Sequence, residues 1–300
     1  MGLKQLTIHA NDEARVIDSA NISNDNIKNI NERINSGAKK TRIVFKNHDT
    51  GEILGEFENK VVITGSQINA CALFGLKPLI KFPSYNEDMG LDMSDDPETE
   101  PKNPPIVCLF GVSDSGCGAT PKDVLVSSYT DRIKPPPKNP RSASEFTSDM
   151  LMPFRFVDIG DDLDENLRKY YFGRKTFTNL NKIGYYFKSF DTDPQLHLRY
   201  ADGTQITRDI YNIESDQSAE CYVEMRLRIT RLDFRDYFED ILGWDKARIS
   251  SLSLCLAWYD DEIADYRYYQ EITPYTLLNF SYQQLVDSTI GIDILYQIYY

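Results

Sequence analysis

The sequence predicts an α+β fold that is mainly β, with antiparallel or mixed sheets, a few covering helices and long extended arms. Three observations carry this. Strict apolar/polar alternation recurs in the second half: Val223, Met225, Leu227 and Ile229 alternate with Glu224, Arg226, Arg228 and Thr230, as in a half-buried strand. A helical stripe of Phe234, Tyr237, Phe238, Ile241 and Leu242 stands between two such stretches and stops at Gly243, as when a helix covers a sheet. Finally, 12 of the 14 prolines lie between Pro78 and Pro153, whereas 17 of the 19 tyrosines follow residue 150. The chain therefore divides by composition into an N-terminal helix and hairpin region, 1–77, a proline-rich and acidic arm region with one core strand, 78–153, and a tyrosine-rich β-sheet domain with two helices, 154–300.

In chain order, Ile27, Ile30 and Ile34 recur at helical spacing, with Ser23 or Asn24 as a cap and Gly37 as a stop. Arg42–Phe45, the turn residues His48–Gly51 and Glu52–Glu58 read as a hairpin. Lys60–Thr64 reads as a further strand, followed by a short helix from Ser66 carrying Ile68, Cys71 and Ala72. Tyr85–Pro101 holds seven acids and no base, the composition of an exposed loop. Ile106–Phe110 is an apolar strand, and Lys134–Arg141, with Pro135, Pro136 and Pro137 in a row, is extended polyproline II. Asp161–Phe172 reads as a helix with acids first, Arg168 and Lys169 late and Gly173 as a stop. Lys182–Lys188, Gln195–Tyr200, Ser251–Trp258 and Ile292–Tyr300 read as strands, the last of these alternating Ile292, Ile294, Tyr296, Ile298 and Tyr300 on one face.

Composition excludes several function classes. No apolar run approaches the 18 or so residues of a membrane-spanning helix. The opening Met1–Asp12 is too polar for a signal peptide and lacks the Ser or Thr of a myristoylation signal. A formal net charge of −13 argues against a general phosphate-binding surface. Cys71, Cys108, Cys117, Cys221 and Cys255 match no zinc spacing and read as reduced thiols of a cytoplasmically assembled protein. His9, His48 and His197 are isolated, so neither a metal site nor a bound cofactor is expected.

The candidate chemistry is sparse. Gly111–Gly118 is the one glycine-dense loop, and it bears Ser113, Asp114, Ser115 and Cys117 after a strand. It fits no nucleotide-binding or nucleophile-elbow pattern, and its glycines are expected to serve turns of positive φ. Asp162, Asp164 and Asn166 resemble the start of a calcium loop, yet Leu167 stands at the glycine position. Acid pairs such as Asp95–Asp96 and Asp260–Glu262 could serve a glycosidase, but 46 acids make such pairs commonplace. No catalytic residue is assigned. The proposed subunit-contact arm is Lys134, Pro135, Pro136, Pro137, Lys138 and Arg141, a stiff cationic strap suited to an acidic neighbour. Tyrosines left on an outer sheet face would be covered by another subunit, or would bind sugars as a receptor-binding module does.

Phe110–Gly118, Met152–Phe156, Tyr171–Arg174, Tyr185–Asp191 with Pro194–Gly203, and Gly291–Tyr300 are the stretches over which the chain resembles a virion structural protein of a large tailed bacteriophage. The likeness spans 110–300. It implies a subunit of the neck, tail or baseplate, with a ring-forming neck component (head–tail connector, collar or tail completion) preferred. It further implies other virion proteins and a homo-oligomeric ring as partners and assembly in the host cytoplasm; the residue patterns and acidic charge, for their part, lead one to expect no enzymatic turnover, no sequence-specific nucleic-acid binding and no membrane association.

Overall fold

The computed structural model describes residues 6–8, 14–16, 40–57, 60–61, 85–92, 105–118, 120, 123–125, 132–200, 219–260, 268–284 and 291–299. The expected helices at 24–36 and 66–75 lie outside these residues. The strands are β1 (Leu6–Ile8), β2 (Ala14–Val16), β3 (Lys40–Asn47), β4 (Ile53–Phe57), β5 (Lys60–Val61), β6 (Ile106–Ser113), β7 (Arg155–Asp158), β8 (Tyr171–Phe177), β9 (Lys182–Ser189), β10 (Thr192–Tyr200), β11 (Ala219–Ile229), β12 (Arg248–Asp260), β13 (Tyr268–Pro274), β14 (Thr276–Gln284) and β15 (Ile292–Tyr299). The fold is mainly β, as the alternation predicts.

Apart from the β1–β2 hairpin, the strands form two antiparallel sheets. One has five strands in the order β10-β11-β15-β3-β4. The other runs β5-β14-β12-β6-β9-β7, with β13 extending the pairing of β12 and β8 on the other flank of β9. All three compositional stretches contribute strands: β3 lies against β15, β5 against β14, and β6 between β12 and β9.

The sheets pack face to face around one core. In the five-stranded sheet the paired residues Leu227, Ile294 and Phe45 form one inward row, and Met225, Tyr296 and Ile43 form the next. All six are buried. Phe45 meets Phe280 of β14 with ring centroids 4.7 Å apart. The Tyr296 hydroxyl donates to Thr276 Oγ1 at 3.1 Å, so a strand with one buried face still satisfies its phenol. The chain crosses between sheets at 190–191, where the Asp191 N–H donates to the Arg226 carbonyl at 2.8 Å. It crosses again through residues 230–247, which cap one end of the core.

That cap carries the expected helical stripe. It is an α-turn at Arg235–Tyr237 followed by a π-helical turn at Phe238–Leu242, ending at Gly243 with φ 87°. Phe234, Tyr237, Phe238 and Leu242 are buried, as their spacing requires.

Three expectations need correction. The helix expected at 161–172 shrinks to a 3₁₀ turn at Ile159–Asp161 and one α-turn at Glu165–Arg168, capped by Asp164 accepting from the Leu167 N–H at 3.0 Å. Tyr171 instead opens β8, where ladder bonds to β9 and aromatic, β-favouring side chains outweigh a thin helical stripe whose Leu167 and Tyr170 are exposed. The acidic stretch begins inside the core rather than as an exposed loop. Tyr85–Met89 is helical, with Tyr85 and Met89 fully buried and the Tyr85 hydroxyl donating to the Ile133 carbonyl at 3.3 Å. Its acids work as anchors, Asp88 on Arg132 and Asp92 on Arg174. Residues 93–101 lie outside the described part.

The third correction concerns the glycine-dense loop. Gly111, Gly116 and Gly118 do not have positive φ. They are small because neighbours press on them: a Cβ on Gly116 would stand 2.0 Å from the Ser250 carbonyl oxygen, and one on Gly111 would stand 2.7 Å from Leu151 Cδ1.

Candidate functional site

The glycine-dense loop is the first place to look for chemistry, because it leaves the end of β6 with hydroxyls, a carboxylate and a thiol. Its side chains are spent on holding the loop to β12 and β14. Ser115 Oγ lies 2.7 Å from Ser113 Oγ and 2.9 Å from Ser251 Oγ. Ser251 Oγ donates to Asn279 Oδ1 at 2.8 Å, and the Gly116 N–H donates to Ser250 Oγ at 2.8 Å. Cys117 Sγ donates to the Phe280 carbonyl at 2.9 Å. Asp114 is buried and receives Arg248 Nε and Nη2 at 2.9 and 2.7 Å and Ser250 Oγ at 3.1 Å. Burial pushes its carboxyl above the ordinary range, and the hydrogen bonds from Arg248 and Ser250 offset that only in part. The loop thus forms a polar seam inside the fold.

A groove of about 390 Å³ opens at the end of the five-stranded sheet, between the β3–β4 turn, the end of β11 and the start of β15. Its charged lining is cross-paired. His48 Nδ1 lies 2.8 Å from Asp293 Oδ2, and Arg228 Nε donates to Asp293 Oδ1 at 2.9 Å. Arg228 also reaches Asp191 at 3.2 Å, and Arg231 reaches Asp49 at 2.7 Å. Burial alone would raise the Asp293 carboxyl. The bonds from His48 and Arg228 outweigh it and hold the group below its usual value. The cluster ties a turn to two strands and to the crossover at Asp191. Sequence reading left His48 isolated, because its partner lies 245 residues away.

The deepest polar cluster sits where β9 meets the cap. Lys188 Nζ lies 2.6 Å from Asp233 Oδ2, with the two side chains 8% and 0% exposed. The Tyr171 hydroxyl donates to Asp233 Oδ1 at 2.8 Å, and the Thr230 N–H donates to Oδ2 at 2.6 Å. The Lys188 amine lies 5.2 Å from the Tyr171 ring centroid and 6.0 Å from that of Phe154. Burial, and after it Asp233, pushes the Tyr171 phenol well above its ordinary range, so it stays a hydrogen donor.

The cationic strap is seated on the chain's own body. The Leu151 N–H donates to the Lys134 carbonyl at 2.7 Å, Asn179 Nδ2 reaches the Pro140 carbonyl at 3.5 Å, and Pro136 and Pro140 are buried. Pro135 and Pro137 are half-buried, whereas Lys134, Lys138 and Arg141 stay exposed. Lys134 forms a surface ion pair with Asp149 at 3.3 Å. The strap therefore presents cations outward on a rigid, proline-anchored ridge.

Asp162, from the calcium-like run, accepts from Arg174 Nη2 at 3.1 Å and from the Tyr185 hydroxyl, while Asp164 serves as the cap already described. Among the described residues, no three His, Cys, Asp or Glu side chains converge as metal ligands would. No helix among them is long and apolar enough to cross a membrane. Comparison with known protein families, curated proteins and solved structures finds no match to this chain.

Proposed function

We propose that the chain is a structural subunit of a tailed-phage virion, a ring-forming neck component that works by protein–protein assembly rather than by turnover. The resemblance over 110–300 supports the particle. The observation that carries the ring is the pair of open edges on the five-stranded sheet. Strands β10 and β4 end the order on opposite sides, and no further strand pairs with either among the described residues. Each edge exposes a large apolar side chain, Leu196 at 67% and Ile53 at 59%. Free strand edges are templates for another chain, and two different edges on one sheet allow head-to-tail contacts that close into a ring. The outward cations of Lys134, Lys138 and Arg141 supply a second contact for an acidic neighbour, and the net charge of −13 makes another copy such a neighbour.

Sugar binding through surface tyrosines receives less support. Tyr85, Tyr171, Tyr185, Tyr186, Tyr222, Tyr237, Tyr275 and Tyr296 are buried, and among the described tyrosine side chains only Tyr170 is exposed.

Negative-stain images and light scattering of the purified chain test the proposal. Rings are expected, and Leu196→Lys together with Ile53→Lys should return the chain to monomers with its melting temperature kept. Replacing Lys134, Lys138 and Arg141 by Glu should weaken assembly in the same way. A chain that is monomeric at every concentration, or rings indifferent to all five substitutions, would sink the reading.

A further inference from the structure

Lys188 and Asp233 belong to different parts of the sandwich. Lys188 closes β9 of the larger sheet, and Asp233 lies in the turn that leaves β11 of the smaller one. Their contact is buried, short and flanked by aromatic rings. An ion pair so placed gives up the hydration of both charges, a cost that their mutual attraction and the further hydrogen bonds to Asp233 must offset. We propose that this pair condenses into an intramolecular amide that joins the two sheets covalently.

The two carboxylate oxygens are held differently, and the difference assigns their roles. Oδ2 receives the Lys188 ammonium at 2.6 Å and the Thr230 N–H at 2.6 Å. Oδ1 receives the Tyr171 hydroxyl at 2.8 Å. Proton transfer from the ammonium to Oδ2 leaves a free amine against a carboxylic acid. Nζ then forms a bond to Cγ while the Tyr171 hydroxyl stabilises the negative charge gathering on Oδ1, as an oxyanion donor does. The Cγ–Oδ2 bond breaks, and Oδ2 leaves as water with two of the three ammonium hydrogens. Oδ1 remains as the amide oxygen on Tyr171, and Nζ keeps one hydrogen. Charge and atoms balance with no oxidant, metal or activating group. Fixed contact between amine and acid replaces the activation that amide formation needs in solution, and the aromatic walls of Phe154 and Tyr171 disfavour return of water. Arg155, 5.9 Å from the Tyr171 ring centroid and 3.7 Å from Asp236, is a second cation on the same ring.

The test is the mass of the purified full-length chain after denaturation, followed by peptide mapping. The expected chain is lighter than its sequence by one water, and digestion yields a branched peptide joining Lys188 to Asp233. Lys188→Arg keeps a cation against the carboxylate but cannot condense, so that variant should show the full mass. A wild-type chain at full sequence mass overturns the proposal. So does a missing water that survives Lys188→Arg or maps to other residues. Ring formation is read separately, so failure here leaves the assembly reading standing, and the reverse holds too.

Discussion

Ile294 offers the cleanest test of how the smaller sheet is held. It sits in the middle of β15, 1% exposed, paired on one side with Leu227 and on the other with Phe45. Ile294→Val removes one buried methyl group and should cost roughly 0.5–1.5 kcal/mol; Ile294→Ala should cost roughly 2–5 kcal/mol, because the rigid neighbours on both strands cannot collapse into the gap. With an unfolding entropy of about 2.1 cal/mol/K per residue, a 300-residue chain loses about 0.6 kcal/mol per degree near its melting point. The two variants should therefore melt about 1–2 °C and about 3–8 °C below wild type. Leu295→Ala, on the opposite face of the same strand and only partly buried, serves as the control. Circular dichroism or scanning calorimetry reads all three. If Ile294→Ala melts no lower than Leu295→Ala, the inward row of this strand is not what holds the sheets together.

Other outcomes follow from the same geometry. Deleting residues 291–300 would strip β11 and β3 of their shared partner, and soluble protein with an unchanged melting temperature would contradict the central place of β15. Gly116→Ala must displace the Ser250 backbone and should cost about 1–3 kcal/mol, whereas Gly160→Ala, with open space around it, should be close to neutral in the same melt. For Asp162, burial raises the carboxyl, but bonds from Tyr185, the Leu163 N–H and Arg174 prevail and lower it. Its folded value lies below the unfolded one, so its contribution is present above the ordinary carboxylate range and is lost as pH falls through the folded value. Asp162→Asn should then flatten the drop in melting temperature between neutral and acidic buffer; an unchanged slope would count against the assignment. Asp114 has the opposite sign. Its raised folded value adds stability as pH falls, so Asp114→Asn should steepen acid sensitivity, which the same titration of melting temperatures checks.

Strand β11 was legible because one face is apolar and the other polar, and β15 because Ile292, Ile294, Tyr296 and Ile298 recur at every second position, so the period of two survives in the sequence. β13 and β14 were not, because residues 272–278 are buried on both faces and the run Ile272–Leu278 shows no alternation. β8 was masked by Tyr170 and Tyr171 falling at helical spacing with Leu163 and Leu167. The glycine-dense loop was recognisable as a loop, but the reason for its glycines lies in the approach of Ser250, 134 residues on. The polar clusters left no local signature. Lys188 stands 45 residues from Asp233, and Tyr171 stands 62 from it. The one available cue was a lysine inside the aromatic run Tyr185–Phe190, where a charge has no reason to sit unless something buried answers it.

The seam between β3 and β15 also constrains how the protein is made. Strand β3 emerges from the ribosome early, with Ile43 and Phe45 ready to pair, yet its partner on that side is synthesised some 245 residues later. At roughly 5–20 residues per second, the wait is on the order of 12–50 s. During that time an apolar hairpin has one unpaired flank, and every growing chain on the same messenger carries another. Closure of the smaller sheet is thus a late, long-range step, of the kind that slows folding and leaves nascent chains exposed to one another. Synthesis at low temperature or with abundant chaperones should raise the yield of closed sandwich more than any change to the surface would.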